Sequence, residues 1–367
     1  MLPVLPMIEG ESTVSWCSRL GPFHAGLSGT DFLKLMQISR QSVVDTTDDC
    51  IGRLAGLTGI SEVRIRASGV QRVGEARFKH RDQEFGMRFA LRTHTTFCPA
   101  CLLEDADPAG PSSGQRVGRI GWMFSPVKTC RRHGIVLHRR PNSGFHEQFQ
   151  DMTLVAPDDA ALEKLAADAP SANTSGLQSY VERRFDGVFG PDWLDTQDVD
   201  QATKACEMLG ACLVFGAHTN LDTLSLRDWS EAGSAGFEAA RDGVDGVRKA
   251  LEEISRVSFC QISKGGPQAA LGRMYQWLQF KKSKTDPGLI RDVVREFVLD
   301  TMPVDPGSTL FGTPVETRRR HSLASLSRST GVHKATLRRA LKLTGVLPAD
   351  VDADERFTVD AGQGERL

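Results

Sequence analysis

The sequence predicts a mainly α, multi-domain protein, and three observations carry that expectation. Apolar residues recur at helical spacing over most of the 367 residues, punctuated by Ser, Thr, Gly and Pro. Two knuckles of metal-ligand residues, Cys98-Pro99-Ala100-Cys101 and Cys130-Arg131-Arg132-His133, break that pattern in the N-terminal half. A helix-turn-helix outline stands near each end. The expected order is an N-terminal helical, helix-turn-helix region over residues 1–90 and a Cys3His zinc-finger module over 91–145. A helical domain over 146–310, a second helix-turn-helix over 311–348 and a mobile acidic tail over 349–367 follow.

Ser12 and its neighbours cap a first short helix whose buried side is Val14, Trp16, Cys17 and Leu20. Ser28 and Thr30 cap a second, from Asp31 to about Ile38, with Phe32, Leu35 and Met36 inward. Ile51, Leu54, Ala55 and Leu57 form the next apolar stripe. Thr58-Gly59-Ile60-Ser61 then supplies a turn with a buried isoleucine, and Val63 opens another helix, which outlines a helix-turn-helix. Arg64 and Arg66 on that helix suit phosphate contact or an ordinary wet face. From Arg72 to Arg92 the chain is basic, with Phe78, Phe85 and Phe89 as anchors for the following module.

Cys98, Cys101, Cys130 and His133 make a tetrahedral donor set of the kind zinc accepts. Four protein ligands close the shell, which points to a structural ion, since catalytic zinc keeps a position for water. Trp122-Met123-Phe124 is expected to pack against this site. Arg131, Arg132, Arg139 and Arg140 give it a basic rim.

Beyond residue 146 the stripes are helical core. They run through Ala202–Leu213, then Val247, Leu251 and Ile254, then Leu271, Met274, Tyr275 and Leu278, and last Leu289 to Val298. The second helix-turn-helix begins after Arg318-Arg319-Arg320. Leu323, Ala324 and Leu326 build its first helix face, and Gly331 ends that helix with Val332 plugging the turn. Leu337, Ala340 and Leu341 point inward from the second helix. His333, Lys334, Thr336, Arg338, Arg339 and Lys342 point outward. From Arg318 to Lys342 there is no acidic residue, so these residues are the candidate DNA contacts.

Lys and Arg total 45 against 46 Asp and Glu, a net charge of -1, so basic character is local and not general. Of the 8 cysteines, Cys17, Cys50, Cys206, Cys212 and Cys260 fall outside the metal set at irregular spacing. They read as small core residues of a reducing compartment. No membrane span or signal peptide is expected, and the protein is expected to be cytoplasmic. No Walker loop, Gly-x-Ser-x-Gly elbow or His-Glu-x-x-His helix is present, so no enzyme is expected.

Pro6, Gly10-Glu11-Ser12 and Ser15-Trp16-x-x-Arg19-Leu20 resemble the opening signature of the TniQ family, the target-selection proteins of transposons that carry an AAA+ regulator. Leu54-x-x-Leu57-Thr58-Gly59, Cys98-Pro99-x-Cys101-Leu102-x-Glu104-Asp105, Trp122 and Cys130-x-x-His133-Gly134-x-x-Leu137 continue the resemblance. His138-Arg139-Arg140-Pro141 stands where many members carry further cysteines. The resemblance implies a non-catalytic adaptor with zinc at Cys98, Cys101, Cys130 and His133. It would recognise a DNA site or an RNA-guided complex and recruit an AAA+ transposition ATPase, with a homodimer compatible with paired helix-turn-helix modules. A zinc-containing, sequence-specific DNA-binding transcriptional regulator is the rival, since its parts would look the same.

Overall fold

Hydroxyl caps decide where the first helices begin. The computed structural model describes residues 4–110, 112, 115–190, 192–261, 265–280, 286–347 and 358–364. Its opening helices are α1 (Thr13–Ala25), α2 (Gly29–Leu35), α3 (Arg40–Val44), α4 (Asp48–Thr58) and α5 (Glu62–Ala67). Ser12, Ser28, Ser39, Thr47 and Ser61 each accept a backbone N–H three residues on. Each such cap satisfies a donor that the helix start leaves unpaired, and is worth about 1 kcal/mol. Trp16, Cys17 and Leu20 of α1 are fully buried. A Cβ on Gly21 would sit 2.4 Å from the Ser28 carbonyl oxygen, and one on Gly29 would sit 2.5 Å from Ser18 Cα. Glycine at both places lets α1 and α2 touch backbone to backbone.

Two inward assignments differ from expectation. In α2 the buried pair is Phe32 and Leu33, while Leu35 is 65% exposed at the helix end. Ile60 is half-buried and Val63 is 77% exposed, so the turn between α4 and α5 is not plugged. The arginines of α5 are also engaged within the protein. Arg64 donates to the Met7 carbonyl at 2.6 Å, and Arg66 pairs with Asp48 at 2.6 Å.

A three-stranded antiparallel sheet follows, β1 (Gln71–Arg72), β2 (Arg77–His80) and β3 (Gln83–Gly86), with Phe78 opposite Phe85. Its cations find internal partners. Arg77 pairs with Asp198 at 2.8 Å, Arg81 with Asp186, and Arg92 with Asp45 at 2.6 Å while lying over the Phe78 ring. His80, Phe85, Phe89, Phe124 and Phe185 form one ring cluster, the tightest pair being Phe124 and Phe185 at 4.5 Å.

His80 is neutral there. Burial lowers its pKa to about 4, while its Nδ1–H donates to the Gly69 carbonyl at 2.8 Å. A histidine free in the unfolded chain titrates near pH 6.5, so the unfolded state binds the extra proton first. The contribution of His80 to stability is therefore full above pH 6.5 and drains as pH falls towards 4, by about 3 kcal/mol in all. Urea midpoints across that window should show the slope in the wild-type protein and a flatter one in His80→Phe. Parallel slopes would refute it.

The chain continues through β4 (His94–Phe97), α6 (Pro99–Asp105), a 3-10 turn at Ile120–Met123, and strands β5 (Thr129–Cys130), β6 (Ile135–Val136) and β7 (His138–Pro141). Helices α7 (Met152–Val155), α8 (Asp159–Asp168) and α9 (Gly176–Phe185) complete this first compact unit, Met1–Gly190 with Asp198–Asp200 and Ser225–Ser230. A boundary expected near 146 thus falls inside the unit. The reason is that α8 packs on α6, and α9 supplies Phe185 to the ring cluster.

The second unit comprises Pro191–Gln197, Gln201–Leu224 and Glu231–Leu367. Its helices are α10 (Asp192–Asp195), α11 (Val199–Phe215), α12 (Leu226–Ala240), α13 (Gly243–Gln261), α14 (Pro267–Gln279) and α15 (Ile290–Thr301). Strands β8 (Thr309–Leu310) and β9 (Thr313–Pro314) form a small hairpin. Strand β10 (Arg320–Ser322), α16 (Leu323–Thr330), α17 (Lys334–Leu343), β11 (Thr358–Asp360) and α18 (Ala361–Gly364) end the described chain. The expected stripes face inward, with Ala202, Ala205, Cys206, Leu209, Val247, Leu251, Ile254, Leu271, Met274, Val294 and Phe297 buried; Leu289 is 38% exposed. A Cβ on Gly210 would lie 1.7 Å from the Ala232 carbonyl oxygen, so glycine alone permits this crossing of α11 and α12.

Part of the expected mobile tail is ordered. Thr358–Asp360 pairs antiparallel with Arg320–Ser322, and Val359 joins Leu323, Leu326, Leu337, Leu341 and Leu347 in one small core. Residues 349–357 and 365–367 lie outside the described residues. Cys17, Cys50, Cys206 and Cys212 are buried as expected, whereas Cys260 is exposed. Among the described residues no helix is long and apolar enough to cross a membrane.

Candidate metal centre and nucleic-acid interface

Two backbone devices present the four metal-ligand residues. Strand β4 runs directly into α6, placing Cys98 at the helix N-cap and Cys101 one turn in, with Pro99 at the first helical position. The β5–β6 hairpin pairs Cys130 with Ile135, and the Gly134 N–H donates to the Cys130 carbonyl at 2.8 Å. Gly134 has φ +60°, a left-handed conformation that costs glycine nothing, and so turns the chain sharply after His133. Antiparallel pairing of β4 with β7, Phe97 opposite His138, brings the two knuckles side by side.

The four ligand atoms lie within 4.8 Å of one another, and the three cysteines are buried. The Cys101 and Cys130 sulfurs are 3.6 Å apart. His133 Nδ1 is 3.4 Å from Cys98 Sγ, 3.3 Å from Cys101 Sγ and 3.5 Å from Cys130 Sγ. A tetrahedral ion with Zn–S near 2.3 Å and Zn–N near 2.05 Å demands edges of about 3.8 Å between sulfurs and about 3.5 Å between sulfur and nitrogen. The observed edges match, so the donor set fits such an ion. Crowding also separates the thiols. Hydrogen bonds from Cys101 and then Cys98 pull the Cys130 thiol far down, and the same contact with Cys130 pushes Cys101 far up.

Sequence reasoning missed the residues that hold these ligands. Glu104 Oε1 lies 3.1 Å from His133 Nε2, and Arg132 reaches its other oxygen at 3.0 Å. Gln178, on α9, serves as a stand-in strand: its Oε1 accepts the Lys128 and Thr129 N–H groups at 3.1 Å each, and its Nε2 donates to the Thr129 carbonyl at 2.9 Å. Asp105 Oδ1 accepts from Arg119 at 2.7 Å, and Asp105 Oδ2 accepts from the Val117 N–H at 3.1 Å. Glu104 and Asp105 stood within the Cys98–Asp105 motif, so a signal existed for them; Gln178 had none. The arginines of the expected rim pair inward. Arg131 meets Glu182 at 3.0 Å, Arg140 meets Glu147, and Arg139 donates to the Val127 carbonyl at 3.1 Å. Trp122 lies under the Arg119 guanidinium, and Phe124 belongs to the ring cluster.

The candidate DNA contacts divide into two groups. Arg318 pairs with Asp305. Arg319 pairs with Glu296 at 2.7 Å and Asp300 at 2.8 Å, and Arg320 donates to the Asp300 carbonyl at 2.6 Å. Arg319 and Arg320 tie the start of β10 to α15, and Arg318 ties it to the segment that follows that helix. His333, Lys334, Thr336, Arg338 and Arg339 are exposed and Lys342 is half-buried, opposite the buried Leu337 and Leu341. Gly331, with φ +72°, ends α16, and the His333 ring caps α17 by accepting the Ala335 N–H. Val332 does not plug this turn: it is 37% exposed, and its backbone is what is engaged, the carbonyl accepting from Ser327 Oγ at 2.7 Å and the N–H donating to Thr330 Oγ1 at 3.3 Å. The outer face of α17 is thus a continuous basic surface on a helix anchored from behind.

No curated protein matches the chain. Residues 3–137 match the TniQ family model, a span that runs from the segment before α1 through both knuckles and stops before β7. The N-terminal part of the chain thus carries a TniQ domain.

Proposed function

We propose that the protein is a non-catalytic transposition adaptor that recognises the target, as a DNA site or an RNA-guided complex, and recruits an AAA+ transposition ATPase. The TniQ family is involved in transposition, and its match over residues 3–137 is the observation that carries this reading. Zinc at Cys98, Cys101, Cys130 and His133 holds the two knuckles together in this reading, and its part is structural because four protein ligands leave no open position. The basic face of α17 is the DNA-facing surface: Lys334 and Thr336 stand near the helix start, where base edges are reached, and Arg338, Arg339 and Lys342 stand where phosphates are.

The test is a salt-resolved titration of the purified protein against its own genomic flanking DNA. Binding is expected to weaken about tenfold or more in Lys334→Ala/Arg338→Ala, with the slope of log affinity against log salt falling by about 2. Arg319→Ala should leave that slope unchanged, since its guanidinium is held by Glu296 and Asp300. Equal binding by wild-type and doubly substituted protein would remove α17 from the interface. Capture of an AAA+ ATPase from the same operon tests the adaptor half separately.

A further inference from the structure

We propose that Glu104 is a positioning residue for the metal centre: it fixes the tautomer and orientation of His133 and acts on the ion through that imidazole without touching it. A neutral imidazole carries one N–H and one lone pair, and a carboxylate can only accept. Glu104 Oε1 stands 3.1 Å from Nε2, so the proton belongs on Nε2, and the Nδ1 lone pair faces the three sulfurs at 3.3–3.5 Å.

The placement follows from the helix. Cys101 and Glu104 are three residues apart on α6, so the turn that presents the sulfur presents the carboxylate on the same side. Arg132 holds Glu104 Oε2 at 3.0 Å from the opposite knuckle, next in sequence to His133. The carboxylate therefore bridges the two knuckles on the solvent side, while the cysteines close the buried side.

This inference rests on the metal reading above, and the experiment separates the two. Zinc affinity of the full-length protein is measured by competition with a chromophoric chelator, alongside the imidazole nitrogen shifts of His133. The wild-type protein should show a metal-bound Nδ1 and a protonated, slowly exchanging Nε2. Glu104→Ala should lower affinity about 10–100-fold and expose the Nε2 proton to exchange, and Glu104→Gln, which keeps an acceptor oxygen but no charge, should fall between. A general loss of stability would not move the nitrogen signature at saturating zinc. Undiminished affinity and an unchanged signature in both variants overturn the role of Glu104 alone. A wild-type protein without zinc overturns the metal reading and this inference with it.

Discussion

Cys101→Ala is expected to abolish zinc binding at the proposed centre and unfold the first compact unit at physiological temperature. Structural zinc in small modules contributes about 10–16 kcal/mol of apparent binding energy, and whole domains are stable by only about 5–15 kcal/mol. The knuckles themselves carry little regular structure. Strand β5 is two residues long, β6 is two residues long, and α6 is a single seven-residue helix. Alanine at 101 leaves three donors and a void on the buried side of the tetrahedron. The thermal midpoint of the unit should fall by more than about 10 °C, given about 2–4 °C per kcal/mol at this size. Prolonged treatment of the wild-type protein with a strong chelator should give the same midpoint. A variant that melts like the wild type, or a wild type indifferent to the chelator, would show that the four residues are not holding an ion.

The ligands were legible because their chemistry is local: a Cys-x-x-Cys and a Cys-x-x-His are knuckles wherever they occur. The same holds for the capping hydroxyls of α1, α2 and α5 and for the buried stripes of α11, α13, α14 and α15, whose period is fixed by the helix itself. Partners across the fold were not legible. Sequence shows the sign of Arg319 but not that Glu296 and Asp300 wait for it, so a basic run that ties down β10 read as a DNA surface. Gln178 looks like any helical glutamine until α9 is seen lying along the strand that ends in Cys130. Val359 follows a run of acidic residues that suggested only a mobile tail, and yet it fills the core behind α17. Val332 and Ile60 failed for a different reason. Both sit in turns where one residue of shift decides which side is covered, and apolar character alone does not set that shift.

Arg19→Met should cost the first unit about 3–5 kcal/mol at neutral pH, the second large effect expected. The pair it breaks is out of contact with solvent: side-chain exposure is 4% for Arg19 and 0% for Glu11, with contacts of 2.9 and 2.8 Å to the two carboxylate oxygens. Arg19 also donates to Gln115 at 3.0 Å, and Glu11 accepts the Ile8 N–H at 2.9 Å, so the pair joins α1 to the segment after α6. Burial already raises the Glu11 pKa against the pull of Arg19. Without the guanidinium the acid must either ionise unpaired or take up a proton. A carboxyl with a raised folded pKa stabilises most below its unfolded value near 4.5 and loses that contribution as pH rises through the folded value. The deficit of Arg19→Met relative to wild type should therefore be smaller at pH 5 than at pH 7.5. Glu11→Leu/Arg19→Met, which buries no lone charge, should recover part of the loss. Urea midpoints of the wild type, Arg19→Met, Glu11→Leu and the double variant at both pH values make the comparison. A deficit independent of pH, or a double variant weaker than the sum of the singles, would mean that Arg19 matters for its packing and not for the charge it meets.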